Sequence, residues 1–200
     1  GDVYKRQAQV LATHTGLPTD LHDVQVWDAD GIARVVAIAA TTDKGAHLSL
    51  LHVDEASFRV VQGTLPLDEA IVSCALEQHG SLAVLTRRHV LHTVSWRVTD
   101  DRLVLDEPHA VPLRPLEEAR LVYVSPSHLL MVVAVPGDAE RARASALLWD
   151  TDLDAVLAVT EWSAQGAPQI STTRAMDGYV FVQLDPKASR AGKCLSLIHI

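Results

Sequence analysis

Short runs rich in valine, leucine and isoleucine recur along the chain. Glycine, proline or small polar clusters interrupt them every eight to twelve residues. The first clear runs are RVVAIAA (Arg34 to Ala40), HLSLLHV (His47 to Val53) and FRVVQGTL (Phe58 to Leu65). IVSCAL, SLAVLTRR, VLHTVSWRV and LVLDEP follow. Runs of this length, rich in branched residues and bounded by turn formers, predict β-strands. Few stretches keep a helical period beyond ten residues. LEEARLVYV and ERARASALLW are the two helical rivals, and the first of them ends at Ser125-Pro126.

The runs repeat. Those centred on Val26, Cys74, Tyr123 and Thr173 lie 48, 49 and 50 residues apart. The next strands, centred on Ile38, Val84, Val133 and Phe181, are spaced by 46, 49 and 48. A third strand follows as LSLLHV, HTVSWRV and SALLWDT, and a fourth as FRVVQG, RLVLDE and AVLAVTE. The pattern predicts four-stranded units at about 23–67, 70–113 and 119–162, with part of a fourth at 168–187. Identity between units is low, so the repeat is one of pattern. A lone four-stranded sheet cannot cover both of its faces, whereas neighbours at a fixed period can. The expectation is an all-β fold, a fragment of a WD40-like β-propeller of about three blades plus part of a fourth. A β-sandwich of similar strand count is the alternative.

Trp149-Asp150 closes the third strand of its unit, where propellers of the WD40 kind place a Trp-Asp dipeptide. Trp96-Arg97 takes a comparable place one unit earlier, while Trp27-Asp28 falls on a first strand. Trp149, Asp150 and Trp96 are therefore expected to be structural, with both tryptophans packed between sheets. The stretch His128 to Leu184 carries an apolar strand, a polar hairpin, Leu147-Leu148-Trp149-Asp150, a second strand ending in Glu161-Trp162, and a closing strand pair. With Arg34 to Leu76 upstream, it resembles the propeller region of the nucleolar protein 11 family. That resemblance extends over most of residues 30–185 and rests on strand spacing and one Trp-Asp pair. It implies a scaffold subunit of the small-subunit processome, supporting ribosomal RNA transcription and early processing. It further implies protein or ribonucleoprotein partners and a nuclear, nucleolar location.

The two tails change how much of the chain enters this reading. The DNA string CTGTCTCTTATACACATC encodes Leu195 to Ile200, and its reverse complement encodes Asp2 to Gln7. The duplex matches a transposase end sequence used to tag sequencing libraries. Residues 1–7 and 194–200 are accordingly expected to be adaptor sequence, with Cys194 on the boundary and the native protein at 8–193. The chain carries a net charge of -8, which disfavours direct nucleic-acid binding through bulk charge. Hydrophobic residues make up 48%, a globular composition, yet no apolar run is long enough to span a bilayer, so no membrane partner is expected. Cys74 and Cys194 form no metal or redox motif and point to a reducing, intracellular compartment.

Candidate chemistry is sparse. Asp150, Asp152, Asp154 and Glu161 occupy positions 1, 3, 5 and 12 of a calcium-loop frame, although position 6 is Ala155 where such a loop turns on glycine. A polar hairpin in which the aspartates cap the backbone competes with it. His89 and His92 form H-x-x-H on a predicted strand, where residues three apart face opposite ways and share no metal. Ser73 lacks a nucleophile elbow, and no glycine loop cradles phosphate. The acid pairs Asp100-Asp101 and Glu117-Glu118 are solvated faces. Arg87-Arg88, at a predicted hairpin, is the candidate contact for a partner. The sequence thus points to a non-catalytic scaffold without a cofactor. The alternatives are a propeller enzyme with a central-channel site and a calcium module at residues 150–161.

Overall fold

The structure, a computed structural model, describes residues 20–29, 33–42, 45–53, 58–115, 118–135, 141–165, 168–174, 179–186 and 194–199. Residues 1–7, expected to be adaptor, lie outside these. Among the described residues every regular element is a strand, and no helix is long and apolar enough to cross a membrane. Within the described residues both helical rivals, at 118–124 and 141–149, form strands.

The first sheet comprises β1 (Asp20–Ala29), β2 (Ala33–Thr42), β3 (Gly45–Val53) and β4 (Phe58–Pro66), in that spatial order. The second contains β5 (Ile71–Glu77), β6 (Ser81–Thr86), β7 (Val90–Thr99) and β8 (Arg102–Leu105), with β9 (His109–Pro112) also on β7. The third orders β10 (Glu118–Ser125), β11 (His128–Val135), β12 (Arg141–Asp150) and β13 (Ala155–Gln165). A last group has β14 (Pro168–Arg174), β15 (Tyr179–Pro186) and β16 (Cys194–His199). All pairings are antiparallel between sequential strands, so each sheet is a meander, and β9 is the one strand off that path. The strands of the four groups span 20–66, 71–112, 118–165 and 168–199. β16 consists of the carboxy-terminal tail, paired to β15 over Cys194 to His199. Backbone pairing needs only N–H and C=O groups, so it carries no information about that tail's origin.

The sheets stack face on face. From the second sheet, Cys74, Leu76, Leu82, Val84, Val94 and Leu103 pack against Ala37, Ala39, Leu48, Leu50 and Val61 of the first. The opposite face of the same sheet presents Ala75, Ala83, Leu85 and Leu91 to Leu121, Tyr123, Leu129, Met131 and Trp149 of the third. Hence β5 and β6 read as nearly unbroken apolar runs, as strands buried on both faces must. β11 is the same, with Leu129 through Val133 all buried.

First strands of successive sheets lie side by side: β1 against β5, β5 against β10, and β10 against β14. Polar side chains stitch them. The register of β1 shifts between Leu21 and Asp23, and that of β5 between Ile71 and Ser73. Such bulges re-aim the side chain beside them. Accordingly, the Leu76 amide donates to Asp23 Oδ2 at 2.8 Å, and the Leu121 amide donates to Ser73 Oγ at 3.1 Å. The Arg120 guanidinium donates to the Val72 carbonyl at 3.5 Å.

Ser73→Ala removes the acceptor for a buried amide and should cost about 1–3 kcal/mol, read as a lower urea midpoint at unchanged slope. Burial holds the imidazoles of His47 and His92 below the ordinary 6.5, with Glu69 partly offsetting this at His92. Their unfolded forms therefore bind protons more readily than their folded forms. Stability gained above 6.5 should be lost as pH falls through that value. The urea midpoint is expected to drop between pH 7.5 and 5.5, and a His47→Gln/His92→Gln variant should drop less.

Candidate functional site, an inter-sheet cleft

The fourth strand of the second sheet is broken. β8 pairs with Trp96 to Thr99 at one end of β7, and β9 pairs with Val90 to Thr93 at the other. Between them runs Asp106-Glu107-Pro108. Proline has no N–H for the ladder, so the pairing stops there. The Asp106 amide makes one last bond to the Ser95 carbonyl at 2.9 Å. The chain then steps away from Val94 and Ser95.

A cleft of about 200 Å³ opens at this break, between the second and third sheets. Its wall on the second sheet is made by Ser81, Thr93 and Ser95. The alternation in His92-Thr93-Val94-Ser95-Trp96 explains this wall. Val94 and Trp96 face the first sheet, leaving Thr93 and Ser95 to face the third. Small hydroxyl residues do not fill the gap that Leu85 and Leu91 fill further along the same face. Tyr123 lines the opposite side, and Thr151 and Asp152, from the turn between β12 and β13, form one rim. Asp106, Glu107 and His109 form the other.

The rim is acidic and only partly neutralised. Arg97 pairs with Asp106, and His109 Nε2 lies 3.4 Å from Asp154 Oδ2. Among the described residues no ion pair engages Glu107 or Asp152. Tyr123 is 2% exposed, and its hydroxyl has no hydrogen-bond partner. Burial, with the carboxylates of Glu77 and Asp152 nearby, pushes the phenol well above its ordinary range, so it stays a neutral hydroxyl.

The β12–β13 turn is built by the Trp-Asp pair. Asp150 Oδ1 accepts from the amides of Asp152 and Leu153, both at 2.9 Å. Its Oδ2 lies 3.7 Å from His128 Nε2, and His128 Nδ1 sits 2.6 Å from Ser125 Oγ. The Thr151 amide and hydroxyl both donate to the Ser127 carbonyl, at 2.8 and 3.0 Å. Asp150 is therefore the cap that fixes two adjacent turns.

This geometry corrects the calcium reading. Ala155 pairs with Asp150 and begins β13, whereas Glu161 pairs with Ser145. Glu161 lies six steps along the strand from Ala155, roughly 20 Å at the usual rise, so it cannot share an ion with Asp150, Asp152 and Asp154. No group of three metal-binding side chains occurs among the described residues.

Other sequence-derived residues fall elsewhere. Trp149 is buried in the core between the second and third sheets. Trp96 packs on the core between the first and second. Each tryptophan thus covers the preceding sheet, but in different registers. Ser95 opposes Ser81 as Asp150 opposes His128, so Val94 is the counterpart of Trp149, and Trp96 lies two residues further on the same face. Arg87 and Arg88 occupy the β6–β7 turn, at the far end of those strands from the cleft, and Arg88 Nη1 is 3.6 Å from Glu69 Oε1. His89 holds the same turn at φ 63°, and His92 pairs with Val84 on β7, so the two do not converge.

Trp149→Ala should destabilise the chain by about 3–5 kcal/mol in a denaturant titration, through the cavity it leaves. Asp150→Asn, which keeps an acceptor, should cost clearly less than Asp150→Ala; equal losses would mean that the cap contributes nothing.

Comparison with known proteins adds no family: no protein-family model matches the chain, and no curated protein matches it.

Proposed function

We propose that the chain is part of a WD40-like β-propeller and acts as a non-catalytic scaffold for protein or ribonucleoprotein assembly. One observation carries this reading. The second sheet is covered on both faces by sheets one repeat away, and their first strands run side by side. Stacking of this kind, repeated about the first strands, is what a propeller ring requires, while a two-sheet sandwich would leave one face of every sheet open. The hydrogen bonds from the Leu76 amide to Asp23 and from the Leu121 amide to Ser73 join residues 53 and 48 apart, about one repeat. This favours repeated blades over a sandwich.

The scaffold reading rests on where the chemistry lies. His89 and His92 diverge, Ser73 Oγ is occupied by a backbone amide, the Asp150 carboxylate caps a turn, and Asp154 lies against His109. What the described surface offers is loops of defined charge at the two ends of the strands. The resemblance to the nucleolar protein 11 propeller gives such a scaffold a place in ribosomal RNA transcription and processing in the nucleolus. Its partners would be protein or ribonucleoprotein, reached through loop ends such as Arg87 and Arg88.

The test is affinity purification of the tagged chain from nuclear extract, followed by identification of recovered proteins and RNA. Recovery of small-subunit precursor components is expected, and Arg87→Glu/Arg88→Glu should reduce it about tenfold, the effect of roughly 1.4 kcal/mol. Recovery unchanged by the reversal would remove the arginine turn from the interface. No precursor components in either sample would overturn the ribosomal assignment.

A further inference from the structure

We propose that the cleft between the second and third sheets is a socket for the guanidinium of an arginine on a partner polypeptide. The inference deepens the scaffold reading by naming what one loop face recognises, and it depends on that reading for the partner being a polypeptide.

Size comes first. Pockets for drug-sized ligands usually span about 300–1,000 Å³. At about 200 Å³ this cleft accepts one long side chain. Charge comes second. Glu107 and Asp152 stand on opposite rims with no ion-pair partner among the described residues, in a chain of net charge -8. The occupant they favour is a cation. A planar guanidinium, with several N–H donors in a fixed fork, reaches acceptors on two sides at once, which a point-like ammonium does less well.

Tyr123 supplies the third and independent observation. Its hydroxyl is buried and has no partner, and the pocket it lines is the one the two acids border. Leaving a buried hydroxyl unpaired is costly, and native proteins rarely do so without a use. Neutral phenol oxygen accepts a hydrogen bond from an N–H donor. An arginine inserted between the rims brings such a donor to the buried Tyr123 oxygen. The walls of Thr93, Ser95 and Ser81 offer further hydroxyl acceptors along the side chain. Asp106 and His109 are already engaged, by Arg97 and Asp154, and so shape the mouth without supplying the recognition.

The experiment titrates the full chain with a capped Gly-Arg-Gly peptide, its citrulline counterpart and free agmatine, by calorimetry. Saturable binding of the arginine peptide is expected, with the neutral citrulline peptide at least tenfold weaker. Tyr123→Phe should weaken the arginine peptide about tenfold, the loss of one hydrogen bond to a charged group, while the melting temperature stays level or rises. Glu107→Gln with Asp152→Asn should abolish binding without unfolding the chain. Equal binding of the citrulline peptide, or no saturable binding of any probe, overturns the socket. A Tyr123→Phe variant that melts earlier with affinity unchanged shows the hydroxyl to be structural and also overturns it. Agmatine binding more tightly than the peptide would assign the cleft to a free small cation and overturn the polypeptide source. None of these outcomes touches the arginine turn, so failure of the socket is separable from failure of the scaffold reading.

Discussion

A four-stranded sheet with two apolar faces is the constraint from which the rest of the molecule follows. Cys74, Leu76, Leu82 and Val84 point one way, and Ala75, Ala83 and Leu85 the other. Water cannot be left on either side without exposing that surface, at about 25 cal/mol per Å². Both neighbouring sheets are therefore obligatory. Each meets the same demand in turn, as the buried even-numbered residues Leu130 and Val132 of the third sheet indicate. Stability is thus shared between sheets more than it resides within any one of them.

Hydrophobic contact alone would let such layers slide. The bulges of β1 and β5 prevent this by turning one polar side chain per strand towards the next sheet. Asp23 and Ser73 each take a backbone amide that has no strand partner in that direction. These bonds are directional, the one to Ser73 is buried, and they fix the angle between layers. Asp150 performs a related task at the strand ends, holding the β12–β13 turn while facing His128 of the neighbouring turn. Gly80 marks a third such point. At φ 116° it sits where an added Cβ would lie 2.7 Å from the Trp96 carbonyl oxygen. The backbone of the β5–β6 turn can approach β7 only because nothing is attached there.

The two ends of the strands carry different chemistry. One holds the arginine turn with Glu69 beside it, and the other the acidic cleft and the Trp-Asp turn. An acidic chain with a basic loop at one end and a carboxylate-rimmed cleft at the other is suited to contacting different partner groups through each. Between these ends the strands of the second sheet are occupied by packing, whereas β13 stays exposed along Val156, Leu157 and Val159.

By itself the sequence determined the strands, their order and the period. Short branched-residue runs between turn formers encode each strand locally, and sequential antiparallel pairing needs only short connections, so antiparallel four-stranded units were legible from spacing. It also pointed to Trp149 as a residue packed between sheets, and it left Asp150 open between a calcium loop and a backbone cap. The tertiary structure decided what depends on residues a full repeat apart. The hydrogen bonds of Asp23 and Ser73 and the two-residue offset of Trp96 are set by register and stacking, which local pattern does not encode. The cleft belongs to this second class. Pro108 signals that a strand must break, but that the break opens onto a buried and unpartnered Tyr123 hydroxyl is known only when two sheets are laid face to face.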